Sequence, residues 1–348
     1  MSALEPTAPL GSPGGPGAVA PARAARRRER GIIRWLALTV VRAVATLIGV
    51  GIVVFIVLRL LPGNQITASL GVSAGLLTPA QHHALNHFYG IGQPLPTQFW
   101  HWASGIVSGN LGLSTQSGRT VTSLIGTALP VTLELAIASM VVGLVLGIGL
   151  GVLSASAPGR LGDWVGQSFA LFGLGIPNFV IGSALVAIFA DVFHYFPSSE
   201  GYVSLFHNPG LNLQQMMFPA ITLGIGVGAA VMRTTRGAML DVSRLAFVRS
   251  ARGKGLSRSA VIVRHVLRNA LVPITTMSGI QFGYLLGGTV IVEQIFVLPG
   301  LGRMLITAVQ EHDYAVAQGT VLVFALGFVL VNIVTDALYA LIDPRIRS

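Results

Sequence analysis

The chain has 348 residues, 52% of them apolar and only 10% charged, with a mean hydropathy of +0.73, which excludes an ordinary soluble globular protein and indicates an integral membrane protein. The formal net charge of +10 would suit nucleic acid, yet 19 of the 22 Lys and Arg residues fall in the N-terminal region, in the connections assigned below to one side of the membrane, or in the C-terminal tail. That asymmetry is a topology signal rather than a duplex-binding patch. There is no cysteine, so disulfides, thiolate catalysis and Cys-ligated metal centres are excluded.

Residues 1–30 mix Pro, Gly and Ala and end in Arg23, Arg26, Arg27, Arg28 and Arg30, a composition that predicts a disordered cytoplasmic tail. A signal peptide is the rival reading of a basic run before an apolar one. The apolar run from Trp35 to Leu61 is longer than a signal h-region and has no small-residue cleavage site after it, so residues 31–61 are expected to stay as the first transmembrane helix. Arg42 and Arg59 lie near its ends, where their side chains can snorkel.

Residues 62–120 are polar enough to form an extracytoplasmic segment. Thr78-Pro79-Ala80-Gln81 reads as a capping box with proline at the first helical position. Phe99, Trp100, Trp102 and Ile106 read as an interfacial helix. His83 and His87 are four apart and could share a metal. No carboxylate between Asn64 and Thr127 completes such a site, and the expectation for metal is none, with His82, His83, His87 and His101 solvated or interfacial.

Residues 121–341 hold five further apolar runs: Leu135 to Ala157, Trp164 to Ala190, Met216 to Met232, Ala270 to Val292 and Tyr314 to Thr335. With the first they make six expected spans. Pro177 and Asn178 interrupt the third and free backbone carbonyls that could line a substrate path. The fourth is short and begins near Pro219, which predicts tilt or partial unwinding. Gly143, Gly147 and Gly151 repeat every fourth residue and predict a smooth ridge for helix packing. Glu134 and Asp336 fall near span ends and read as interfacial or helix-paired carboxylates.

Connection charges set the orientation. Ala157 to Asp163 carries Arg160 and goes inside; Asp191 to Gln215 and Glu293 to Asp313 are acidic and go outside; the tail, residues 342–348, returns inside. Both termini are then cytoplasmic.

The most basic stretch is Arg233 to Arg268, nine Lys or Arg residues and one acid, Asp241, in 36 residues. Within it Phe247 and Ala251 are spaced to share one face of a short helix that stops at Gly253 or Gly255, and Ser257 is placed to cap a second helix from Arg258 to Leu271. By charge alone this is a solvated basic loop beside anionic lipid; by pattern it is a helix held outside the membrane for a partner's groove.

Residues Ser250-Ala251-Arg252-Gly253-Lys254-Gly255-Leu256 and Arg264-His265-Val266-Leu267-Arg268-Asn269-Ala270-Leu271-Val272-Pro273 resemble the coupling loop of the dipeptide and oligopeptide permease subunits of ABC importers. Arg59-Leu60-Leu61-Pro62-Gly63, Leu129-Pro130-Val131-Thr132-Leu133-Glu134-Leu135, Ile176-Pro177-Asn178-Phe179, Glu293 through Gly302 and Asp343-Pro344-Arg345-Ile346-Arg347 resemble that family at matching places, from about Trp35 to the C-terminus. Arg249-Ser250-Ala251 replaces the general importer motif's Glu-Ala-Ala, and Leu267-Arg268 its Leu-Pro, differences shared by the peptide branch; Phe247 stands where that branch usually has Tyr.

The resemblance implies an all-α integral membrane fold of six transmembrane helices in a type I importer arrangement, with a cytoplasmic coupling helix between helices 4 and 5. It implies docking of Phe247, Arg249, Ala251, Arg252 and Gly255 on an ATPase, a second permease subunit, and an extracytoplasmic substrate-binding protein. ATP and Mg would sit on the partner ATPases and no cofactor on this chain. Gly253-Lys254 lacks the glycine of a phosphate loop, Val248 standing in its place, and no Gly-x-Ser-x-Gly or His-Glu-x-x-His occurs, so no enzyme activity is expected of the chain itself. An ion-gradient-driven secondary transporter, a membrane scaffold, and an importer of nickel or another small solute are the alternatives; no clear internal repeat supports the first.

Overall fold

The computed structural model describes residues 20–60, 78–81, 84, 93–193 and 201–342. Among these the chain is helical apart from connections, and the one β pairing is the isolated Leu113–Thr120 bridge. Helix α1 is Ala20–Leu60, α2 Leu95–Val107, α3 Val121–Ser156, α4 Leu161–Gly175, α5 Asn178–Phe193, α6 Pro209–Ser243 and α7 Ala246–Gly253. A turn, Arg258–Ala260, and a π-helical segment, Val261–Leu267, lead into α8, Arg268–Ile295; α9 is Leu301–Gln310 and α10 Tyr314–Ile342.

Helix α1 begins inside the stretch expected to be a disordered tail: Ala20 to Arg30 are helical, as Ala and Arg are strong helix formers, and residues 1–19 of that tail lie outside the described residues. Along the bundle α1 is peripheral. Val44, Ile48, Val53, Ile56 and Val57 are exposed, a surface suited to lipid, while Phe55 and Leu58 are buried. Arg59 does not snorkel freely. Its guanidinium lies 3.7 Å from the Phe55 ring centroid, its Nε donates to Gln98 Oε1 at 2.9 Å, and Phe99 and Trp102 of α2 stack around Phe55. The capping box forms as expected: the Thr78 N–H donates to Gln81 Oε1 and the Gln81 N–H to Thr78 Oγ1.

The core is the packing of α3 on α6. Helix α3 starts at Val121, well before Leu135, because Thr120 caps it through the Ser123 N–H and Pro130 is accommodated within it. Along α3 the ridge glycines meet α6. A Cβ on Gly143 would fall 2.5 Å from Val227 Cγ1, one on Gly147 2.8 Å from the Gly228 carbonyl oxygen, and one on Gly151 2.5 Å from Thr235 Cβ. Gly224 reciprocates against Val142 and the Ser139 carbonyl. The expected packing ridge is therefore present.

Helix α6 corrects the expected fourth span. It runs unbroken for 35 residues through Pro219, capped by Asn208, with Pro209 at its first turn. Burial explains this: Met216, Ala220 and Leu223 on one side of the proline pack into the core, and the same face continues through Val227, Val231 and Met239 well past Met232. The stretch from Arg233 to Ser243, taken as loop, is helix.

The third span is broken, as the Pro177-Asn178 pair implied: α4 and α5 meet at a bend of 100°. Proline disfavours helical geometry at Ile176, which is extended. Among the described residues, four helices are long and apolar enough to cross a bilayer, or five with the bent pair counted as one span. The fifth expected run lies in α8, which is long enough but carries Thr275, Thr276, Ser278, Gln281 and Thr289 and is not among those five. Helix α8 packs on α10, with Gly279 against Thr335 and Gly283 against Phe328.

Candidate functional site

At the end of the bundle where α6 gives way to α7 the chain is strongly basic. Helix α7 is eight residues long, and Leu245, in the capping position before it, supplies no side-chain cap. Its apolar residues decide its seat: Val248 and Ala251, three apart, are buried and join the core cluster with Met239, Val261 and Val266. Ala251 thus anchors the helix to its own bundle, which corrects its expected place on the docking face. Phe247, 42% exposed, points away, with Leu245 and Leu256 also exposed and Arg249, Arg252 and Lys254 around them. The signal that identifies the anchor was the Val248/Ala251 pair, and the sequence reading paired Ala251 with Phe247 instead.

Gly255 ends the helix in the left-handed region, φ +78°, with its N–H donating to the Arg252 carbonyl at 3.0 Å. A side chain there would meet nothing within 4 Å, so a substitution is opposed by backbone conformation and not by space. Ser257 caps the following turn through the Ala260 N–H, as its position implied. The expected plain helix to Leu271 instead contains the π segment, a geometry that recurs at functional sites.

A buried ion pair fastens this basic end, and the sequence reading missed it. Asp163, at the start of α4, accepts two bonds from Arg236 of α6, Nε to Oδ1 at 2.8 Å and an NH2 nitrogen to Oδ2 at 3.1 Å. Ser154 and the Gly159 N–H complete its shell. Arg258, just after α7, donates to the Ser156 carbonyl, so the α3–α4 turn is tied both to α6 and to the arm of α7. Removing one partner leaves the other charge poorly paired. Asp163→Ala is expected to cost about 1–3 kcal/mol, reduced from the fully buried case because the Arg236 side chain is 27% exposed, and to lower the melting temperature of the detergent-purified subunit. A melting curve coinciding with that of the unaltered protein would show the pair to be dispensable.

At the opposite end, Glu134, expected near a span end, lies within α3 because that helix begins as early as Val121, and Tyr202, in the connection before α6, donates its hydroxyl to Glu134 Oε2 at 2.6 Å. Burial first, and then that carboxylate, hold the Tyr202 phenol well above its ordinary range. Glu293, expected at the start of an acidic outer connection, is fully buried at the end of α8. It accepts from Thr132 Oγ1 at 2.7 Å and from the Arg303 N–H at 3.0 Å. A cavity of about 350 Å³ at this end is lined by Ser117, Thr127, Arg303, Glu311 and Asp313 among others. The side chain of Asp336 lies outside the described residues.

Midway, Pro177 and Asn178 line a cavity of about 280 Å³ together with Gly226, Gln281, Tyr284 and Gly288. Gln281 and Tyr284 of α8 had not been singled out; their spacing of three places them on one side of that helix, but among its several other polar residues nothing in the sequence set them apart. Among the described residues no group of three His, Asp or Glu side chains could hold a metal; His82, His83 and His87 lie outside them.

Comparison with known proteins gives the lineage. Residues 147–348 match the family described as binding-protein-dependent transport system inner membrane component, and residues 32–136 its N-terminal companion. The chain is 38% identical over 304 residues to the glutathione transport system permease protein GsiC of Pectobacterium atrosepticum, covering 87% of this chain and 95% of that one. The same-named protein of Salmonella choleraesuis is 38% identical over 305 residues, with the same coverage. The fold matches the inward-facing MetNI methionine ABC transporter with a TM-score of 0.50 at 18% identity, over 64% of this chain and 97% of that one. With family, relatives and fold in agreement, the chain belongs to the binding-protein-dependent inner membrane permeases of ABC importers.

Proposed function

We propose that this permease imports peptides into the cytoplasm by alternating access, driven by separate ATPase subunits that grip α7. The observation that carries the reading is the two-sided character of α7. Val248 and Ala251 are seated in the bundle, while Phe247, flanked by Arg249, Arg252 and the turn at Gly255, is left outside it. A helix held in this way transmits a push: an ATPase cleft that moves Phe247 moves α6 and α8 through the buried pair. The permease supplies two packing states and the ATPase supplies the bias between them.

In this reading α7 and both termini are cytoplasmic, ATP and Mg are bound by the partner ATPases, and this chain binds no cofactor. A second, related permease subunit completes the path and an extracytoplasmic binding protein delivers cargo to the Glu293–Asp313 end. Peptide cargo is supported by the relatives named for glutathione, itself a tripeptide, and by the resemblance of the α7 region to the peptide branch. Nickel or another small solute, and an ion-gradient mechanism, are the readings it displaces.

Phe247→Ala is expected to strip most of the ATPase from the purified complex, since loss of a buried interface aromatic costs on the order of 2 kcal/mol or more. Gly255→Asp is expected to weaken assembly to a lesser degree by straining the turn. Full ATPase retention and ATP-dependent peptide uptake in both variants would remove α7 as the coupling element.

A further inference from the structure

The cavity at the α4–α5 bend has a chemical character of its own. Pro177 breaks the helix, so Asn178 starts α5 with its side chain turned onto α6, where a Cβ on Gly226 would lie 2.9 Å from Asn178 Oδ1. Across the cavity, Gln281 and Tyr284 stand one turn apart on α8, and Gly288, one turn beyond Tyr284, leaves the space beside them open. Tyr284 is 70% exposed. The rest of the lining is aliphatic or glycine, and none of it is Asp, Glu, Lys, Arg or His.

Polar groups at membrane depth are costly unless paired. Among the described residues no hydrogen bond within the chain engages the Asn178 or Gln281 amide. Each amide offers both donors and an acceptor, and the phenol offers one donor and one acceptor. The ligand group that matches such a set without charge is another amide, and a peptide main chain presents one N–H and one C=O per residue.

We infer that Asn178, Gln281 and Tyr284 form a subsite in the translocation path that hydrogen-bonds the main-chain amides of a peptide in transit and takes no account of side-chain charge. The inference rests on the peptide-importer reading above. A neutral, amide-reading lining passes cargo of varied side chains without holding any of it strongly, and leaves discrimination to other parts of the transporter.

The test uses the complete transporter, purified with its partner subunits and binding protein and reconstituted in liposomes. The probes are Ala-Ala-Ala, Ala-Lys-Ala and Ala-Glu-Ala, each at saturation of the binding protein. Gln281→Glu is expected to raise the ratio of Ala-Lys-Ala to Ala-Glu-Ala uptake at least about fivefold, and Gln281→Lys to lower it by a similar factor, because a charge facing the cargo in a low-dielectric passage acts strongly. Tyr284→Glu and Tyr284→Lys, at a more exposed position, should shift the same ratio in the same senses and serve if the Gln281 variants fail to assemble. A merely structural role would change the yield or the overall rate and leave the ratio alone. If Ala-Ala-Ala uptake persists and no charged variant moves the ratio, the subsite is refuted while the peptide reading stands. If the unaltered transporter takes up none of the three with ATP, the peptide reading itself is overturned and the subsite falls with it.

Discussion

Gly147→Leu is expected to eliminate the folded subunit, whereas Gly149→Leu, two residues along the same helix, should be tolerated. Gly147 faces α6 so closely that a Cβ would stand 2.7 Å from Val231 Cβ and 2.8 Å from the Gly228 carbonyl oxygen. The second contact is backbone, which cannot rotate aside. Without a hydrophobic force between helices inside lipid, α3 and α6 depend on such close packing, so separating them forfeits it along the length of the ridge. Overpacking a core costs about 1–3 kcal/mol where side chains can yield, and more than about 3 kcal/mol is expected here because the Gly143 and Gly151 contacts are pried open as well. A Cβ on Gly149 meets nothing within 4 Å. Monodisperse yield and thermal melting in detergent provide the measurement; equal behaviour of the two variants would mean that the ridge is not what holds the core.

Glu293→Ala is expected to detach α9 from the bundle while sparing the α3–α6 core. The Glu293 carboxylate accepts from Thr132 Oγ1 and the Arg303 N–H, and Thr132 Oγ1 in turn accepts the Leu301 N–H at 2.8 Å. One buried side chain thus joins α8, α3 and the first turn of α9, whose N-terminus favours an anion. The turn is built around it. A Cβ on Gly300 would fall 2.4 Å from the Glu293 carboxyl carbon, and Val297 is held at φ +58°, a conformation costly for a β-branched residue. Truncation leaves the Thr132 hydroxyl proton and the Arg303 N–H without their acceptor, about 3 kcal/mol together. Glu293→Gln keeps an acceptor of the same shape and should fall between. Hydrogen exchange gives the readout: amides from Arg303 to Thr307 should exchange much faster in Glu293→Ala, with those of α6 unchanged. Unaltered exchange in α9 would show that the carboxylate does not hold it.

Several features were legible because they depend on local chemistry. Pro177 had to disturb the third span wherever that span lay, since its ring and missing N–H act on immediate neighbours. Thr78 and Gln81 close a box over three residues, and Gly255 supplies a left-handed turn that few residues tolerate. Positions separated by many residues were not legible. Asp163 ended one inner connection and Arg236 lay in the basic stretch, 73 residues apart; only the approach of α4 to α6 makes them a pair. Glu293 read only as one of three acids in an outer connection, and it is the fold of α9 back over it that buries it.

The amino-acid sequence by itself determined that this chain is a helical membrane protein with a basic helix-turn between two long apolar segments, because hydropathy, charge and the conformational limits of Pro and Gly act residue by residue. Only the tertiary structure decided which side of that short helix is seated in the bundle and which is left exposed. Val248, Ala251 and Phe247 are all apolar, and their local pattern is the same whether they face inward or outward; Met239, Val261 and Val266, brought together from either side, take up the first two and leave the ring outside.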